Sequence, residues 1–134
     1  MELNEISGTI IDAAIAIHKD LGPGLLESVY EQVRAKQLQK RGLLVERQRA
    51  VTFEYDGTLF EDAFQIDLLV EGQVVVELKS VEKESPVHVK QVLTYLRLMK
   101  LPLGLVINFG ASPLKNGLHR VINSRASQPS LPLP

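Results

Sequence analysis

The spacing of apolar residues changes period along the chain. Ile6, Ile10, Ala13, Ala14 and Ile17 recur at helical spacing, which predicts a helix over residues 3–20. Leu21-Gly22-Pro23-Gly24 breaks it, because two glycines around a proline cannot continue a helix cheaply. Leu25, Leu26, Val29 and Val33 predict a second helix from about residue 25 to 41, stopped at Gly42. The period then becomes two. Residues 49–55 read as a strand, Asp56-Gly57 as a hairpin turn and residues 58–70 as a longer strand. Glu71-Gly72 marks another turn before a third strand over 73–80. Ser85-Pro86 opens a third helix, a capping hydroxyl followed by proline, which runs to about Lys100. The apolar run Leu103 to Phe109 predicts a buried strand, with a weak strand near 119–123. The order α-α-β-β-β-α-β is that of a mixed α/β domain. It spans residues 1–123, followed by a loose Ser- and Pro-containing tail over 124–134.

Alternation within two of these strands brings charged groups together. In Val74-Val75-Val76-Glu77-Leu78-Lys79, the residues Val74, Val76 and Leu78 share one face, and Glu77 and Lys79 share the other. In the preceding strand Phe64, Ile66, Leu68 and Val70 are expected on one face, with Asp67 and Gln65 opposite. If both apolar sets face one core, Asp67 emerges on the side of Glu77 and Lys79. This constrains the loop at Glu71-Gly72. A plain two-residue turn would pair Val70 with Gln73 and put Ile66 opposite Glu77, since a one-residue slip moves every side chain to the other face. An odd-length loop or a glycine bulge at Gly72 is therefore expected.

Two carboxylates and a lysine on one sheet can do a particular chemistry. Paired carboxylates hold a hard divalent cation such as Mg²⁺. The cation acidifies water and offsets charge on a phosphodiester, while the ammonium positions that water or shares the oxyanion charge. On the residues alone, a cross-strand Asp/Glu/Lys salt-bridge cluster fits as well. Two helical stripes accompany the set. Glu27, Tyr30 and Arg34 fall at i, i+3 and i+7 of the second helix, and His88, Gln91 and Tyr95 do so in the third, opposite Val89, Leu93 and Leu96. Either stripe can equally be a solvated face. His18 reads as a surface or capping residue at the end of the first helix, and His119 as a loop residue.

Composition sets outer bounds. The chain has 134 residues, enough for one domain with a real core. It has no cysteine, which excludes disulfides and thiolate metal sites and favours a cytoplasmic location. The N-terminal Met1-Glu2-Leu3-Asn4-Glu5 is acidic where a signal peptide would be basic, and no apolar run is long enough to span a membrane. The net charge of −1 speaks against a nucleic-acid binder, but its distribution does not. Residues 1–78 hold 7 Lys/Arg against 14 Asp/Glu, a balance of −7, and residues 79–134 hold 8 against 2, a balance of +6. An acidic half that binds metal and a basic half that faces phosphates would show this split. So would chance combined with two solvated helices.

Taken in order, Gly24-x-x-Glu27-x-x-Tyr30, Asp67, Glu77-Leu78-Lys79, Gln91-x-x-x-Tyr95 and Ile107-Asn108-Phe109-Gly110 resemble the GxxExxY protein family over residues 3–123. That family is grouped with the PD-(D/E)xK nucleases, near their RecB-like branch. The resemblance implies a restriction-endonuclease-like core, a mixed sheet flanked by helices, and hydrolysis of phosphodiester bonds in DNA with Mg²⁺ or Mn²⁺. It implies Asp67 and Glu77 as metal ligands, with the carbonyl of Leu78 as a third, and Lys79 as the catalytic lysine. Glu27 would be the helix-borne acid that assists metal or water, and Gln91, Tyr95 and Tyr30 would serve substrate binding. Three features depart from the pattern. Ile66 replaces the proline before Asp67, Gln65 stands where relatives often carry arginine, and no separate DNA-gripping domain is present. A nucleic-acid-binding or partner-binding module of little activity is the alternative, and a homodimer or partner protein would compensate for the missing domain.

Overall fold

The structure, a computed structural model, describes residues 1–127. Helices α1 (Leu3–Leu21) and α2 (Glu27–Lys40) precede strands β1 (Val45–Tyr55), β2 (Thr58–Val70) and β3 (Val74–Lys79). Helix α3 (Val87–Met99) and strands β4 (Leu103–Asn108) and β5 (Leu118–Ile122) complete the domain. The five strands form one sheet in the order β1-β2-β3-β4-β5. β3 and β4 are parallel, joined by the α3 crossover, and the other neighbours are antiparallel. The result is the mixed α/β core expected of a restriction-endonuclease-like fold. Among the described residues, no helix is long and apolar enough to cross a membrane.

Each face of the sheet has its own core. Val74, Val76 and Leu78 of β3 and Leu103, Leu105 and Ile107 of β4 pack with Ile6, Ile10 and Ala14 of α1 and Leu38 of α2. Val75 and Val106 pack on the opposite face with Val92 and Leu96 of α3. Burial on both faces explains why β4 and the Val74-Val75-Val76 start of β3 read as apolar runs. Gly104 lets α3 approach β4 closely, because a Cβ there would lie 2.5 Å from Cγ1 of Val92.

The loop between β2 and β3 has odd length. Val70 pairs with Val74, so Glu71, Gly72 and Gln73 form a three-residue connection. Glu71 and Gly72 both take left-handed backbone angles, φ 54° and 62°. The alternation expected of β2, by contrast, does not persist. Leu68 and Val70 join the core beneath α1 and α2, but Ile66 and the half-buried Phe64 pack with Leu69 and Val75 on the α3 side. The change of face falls at Asp67. The β2–β3 ladder stops at the pair Leu68–Val76, and Gln48, opposite Asp67 on β1, has a left-handed φ of 48°. Without β3 alongside, the β1–β2 ribbon is free to rotate at that residue.

Other expectations shift as well. β1 begins at Val45 rather than residue 49, and residues 118–122 form a full edge strand paired to β4. His119 thus lies on a strand, not in a loop. His18 is half-buried and stacks on Phe109 at 6.5 Å rather than lying on the surface. Ser124–Ser127, assigned to the loose tail, forms a 3-10 turn, and the rest of that tail lies outside the described residues.

Candidate active site

Sequence places a carboxylate on each of two strands, and the fork between those strands places the carboxylates together. Beyond Leu68–Val76 the ladder is continued by side chains. The N–H of Asp67 donates to Oε1 of Glu77 at 3.2 Å, and the N–H of Leu78 donates to Oδ2 of Asp67 at 2.8 Å. Glu77 is 7% exposed. Its pKa is pushed up to about 8, first by burial and then by the charge of Asp67 and a hydrogen bond to it, with Lys79 pulling the other way. Burial and a neighbouring like charge both disfavour the ionised form of a carboxylate.

Helix α2 brings further acids to Asp67. Glu27, its first residue, accepts from the N–H of Ser80 at 3.1 Å, one residue past Lys79. Glu31, one turn on and almost fully buried, accepts from Nε2 of Gln48 at 2.7 Å and pairs with Arg47 at 3.5 Å. The same Gln48 amide reaches Oδ1 of Asp67 at 3.4 Å. Glu27, Glu31, Gln48, Asp67 and Ser80 line one cavity of about 540 Å³. The structure thus brings Glu27 to the site, though not into contact with the pair. Among the described residues, no group of three His, Asp or Glu side chains is gathered closely enough to hold a metal ion. The donor set available, carboxylate oxygens with an adjacent main chain, fits a hard divalent cation.

Tyr30 lies elsewhere. It is fully buried, stacks on Phe109 at 4.0 Å and donates its hydroxyl to the carbonyl of Gly22. That hydroxyl also accepts from the N–H of Leu25 at 3.3 Å. Tyr30 therefore pins the Gly22–Leu25 segment that sets the start of α2, and with it Glu27, and does not itself reach substrate. Arg34 is also in the core, donating to the carbonyl of Ile10. Burial, followed by Arg41, lowers its pKa to about 9.

Tyr95 and Gln91 differ in setting. Tyr95 is half-buried and stacks on Phe64 at 4.2 Å. Its phenol pKa is raised by burial and then by Glu77 and Asp67, which places it within their field. Gln91 is exposed on α3. Asn108 explains the Ile107-Asn108-Phe109-Gly110 motif. Its amide accepts from the N–H of Val81 at 3.0 Å and donates to the carbonyl of Val81 at 2.9 Å, extending the β3–β4 pairing past Lys79. Gly110 permits this approach, because a Cβ there would lie 2.4 Å from the Val81 oxygen.

Sequence reasoning missed Glu31, Gln48 and Asn108 as members of the site. Glu31 was within reach, since it follows Glu27 at i+4 on one helical face. Gln48 owes its place to a backbone conformation that its residue type does not announce.

The family model of the PD-(D/E)XK nuclease superfamily matches residues 4–121. No curated protein and no solved structure matches the chain.

Proposed function

The chain belongs to the PD-(D/E)XK nuclease superfamily, whose members are generally metal-dependent phosphodiesterases, and on that premise we propose that it cleaves DNA with Mg²⁺ or Mn²⁺. The motif order favours the GxxExxY group near the RecB-like branch, and the lack of cysteine suits the cytoplasm. The observation that carries the reading is the contact between Asp67 and Glu77 at the strand fork, with Glu77 held above its ordinary pKa.

In this reading Asp67 and Glu77 hold the cation, and the carbonyl of Leu78 is its third protein ligand. The cation supplies Lewis acidity, acidifying water and offsetting charge on the phosphodiester. The chain supplies orientation. Main-chain donors from Leu78 and Asp67 fix the two carboxylates across the fork. Gln48 holds Asp67 from the other side and is anchored by Glu31, which in turn pairs with Arg47. Lys79, on the same face as Glu77, orients the attacking water or shares the oxyanion charge. Glu27 assists as an acceptor for that water. Tyr95 and Gln91 contact the substrate backbone. The test is incubation with supercoiled plasmid, linear duplex, single-stranded DNA and RNA across a Mg²⁺ and Mn²⁺ titration. Metal-dependent loss of DNA supports the reading, and intact substrates at every metal concentration would refute it.

A further inference from the structure

Lys79 and Ser80 are consecutive, yet they line different cavities. Ser80 faces the acidic one that holds Glu27 and Asp67, whereas Lys79 borders a second cavity of about 460 Å³. The catalytic scheme above makes no use of this second space. Its walls are aliphatic: Val81 follows β3, Pro86 and Val89 begin α3, and Val106 lies on β4. One edge is polar. Glu84 pairs with Nε2 of His119 at 2.7 Å and accepts from Nδ2 of Asn108 at 3.3 Å. Lys79 and Lys90 supply ammonium groups at its border. The wall after β3 is held in place by the double hydrogen bond from Asn108 to Val81.

Each feature restricts the occupant. The volume is that of a small-molecule pocket, suited to one monomer unit and not to a duplex. Aliphatic walls suit the faces of a flat heterocycle. A carboxylate and an imidazole along one edge can exchange hydrogen bonds with ring nitrogens and exocyclic groups. Two ammonium groups suit a phosphate. A nucleotide has all three parts, and a base must leave its stack to enter such a space.

We infer that this cavity is a nucleotide subsite: one unstacked nucleotide of the substrate strand, next to the phosphate at Lys79, seats its base between Val89 and Val106 and its own phosphate against Lys90. The inference rests on the nuclease reading of Asp67, Glu77 and Lys79. It makes the protein selective for single-stranded or frayed substrate.

Two binding measurements in EDTA test it without hydrolysis. In the first, 5′-dAMP and 5′-dCMP are titrated against ¹⁵N-labelled protein. Saturable shifts centred on Val81, Val89 and His119 are expected, and shifts elsewhere or none would overturn the inference. In the second, affinities are compared for a single-stranded oligonucleotide and a blunt duplex of the same sequence. Val89→Trp fills the cavity and should weaken mononucleotide and single-strand binding about tenfold, and duplex binding less than about twofold. Lys90→Glu, on an exposed side chain, should weaken mononucleotide binding without changing that of deoxyadenosine, and it decides the matter if Val89→Trp does not fold. Equal loss of single-strand and duplex affinity would overturn the inference. So would loss of mononucleotide binding with single-strand affinity intact, which would mark a site for free nucleotide. Failure of wild type to cleave any DNA in a separate Mg²⁺ assay would count against the nuclease reading alone.

Discussion

Asp67 donates its main-chain N–H to the Glu77 carboxylate at 3.2 Å, across a gap where β2 and β3 no longer pair. The Asp67 carboxylate in turn accepts from the N–H of Leu78 on β3. Each strand thus fixes the acid of the other, and the two acids end up in contact. Residues that would have been ladder partners in a longer hairpin have become a site.

Burial of Glu77, and then its contact with Asp67, set a pH dependence. Glu77 titrates near 8, so between about 4.5 and 8 the folded chain holds a proton that the unfolded chain releases. The stability this group contributes is fully present below about 4.5 and is lost as pH rises through 8. A divalent ion requires the ionised form, so metal affinity should increase with pH up to about 8, with proton release on binding below it. Calorimetry in two buffers of different ionisation enthalpy, at about pH 6.5 and pH 9, would show proton release at the lower value only. Release at neither pH would show that metal displaces no proton from Glu77. Glu77→Gln should flatten the loss of stability with rising pH in metal-free protein.

How far this site was legible depends on the residue. Glu77 and Lys79 were placed by alternation in a strand whose neighbours are unambiguous valines and a leucine. The odd-length loop followed from requiring Asp67 beside Glu77, and Val70 pairs with Val74 accordingly. The rotation of β2 at Asp67 was not legible. Ile66 and Phe64 can be buried on either side of the sheet, and nothing in their apolarity says which. Tyr30 and Arg34 looked like a polar stripe because their side chains carry polar ends. Both are core residues whose polar ends find main-chain carbonyls, at Gly22 and Ile10. β5 was faint because His119 and Arg120 interrupt its apolar pattern at an edge where one side faces solvent.

Tyr95 offers a separation of packing from chemistry. Its ring stacks on Phe64, while its hydroxyl lies in the field of Glu77 and Asp67. A double-mutant cycle with Tyr95→Leu and Phe64→Leu should give a coupling of about 1 kcal/mol. Tyr95→Phe keeps the stack, so its melting temperature should match wild type. If the hydroxyl contacts substrate, the same variant raises KM. Unchanged kinetics in Tyr95→Phe would limit this residue to packing.

The basic half of the chain gives an ionic-strength test. Lys83, Lys90, Arg97 and Lys115 are all exposed. DNA affinity should fall steeply with salt, because phosphate contacts release counterions. Replacing any one of these residues that touches phosphate with Ala should lower the slope of log K against log salt by about 1. A slope unaffected by all four substitutions would move the phosphate contacts to another surface.

The most direct test compares initial rates of DNA cleavage in Mg²⁺ and Mn²⁺ for wild type, Asp67→Ala, Glu77→Ala and Lys79→Ala, each first shown to be folded by circular dichroism. Wild type should cleave only with metal. The two carboxylate variants should fall to the metal-free background, and Lys79→Ala should lose about 10²–10³-fold in rate. Folded variants that cleave as fast as wild type would contradict the assignment of this fork as the active site.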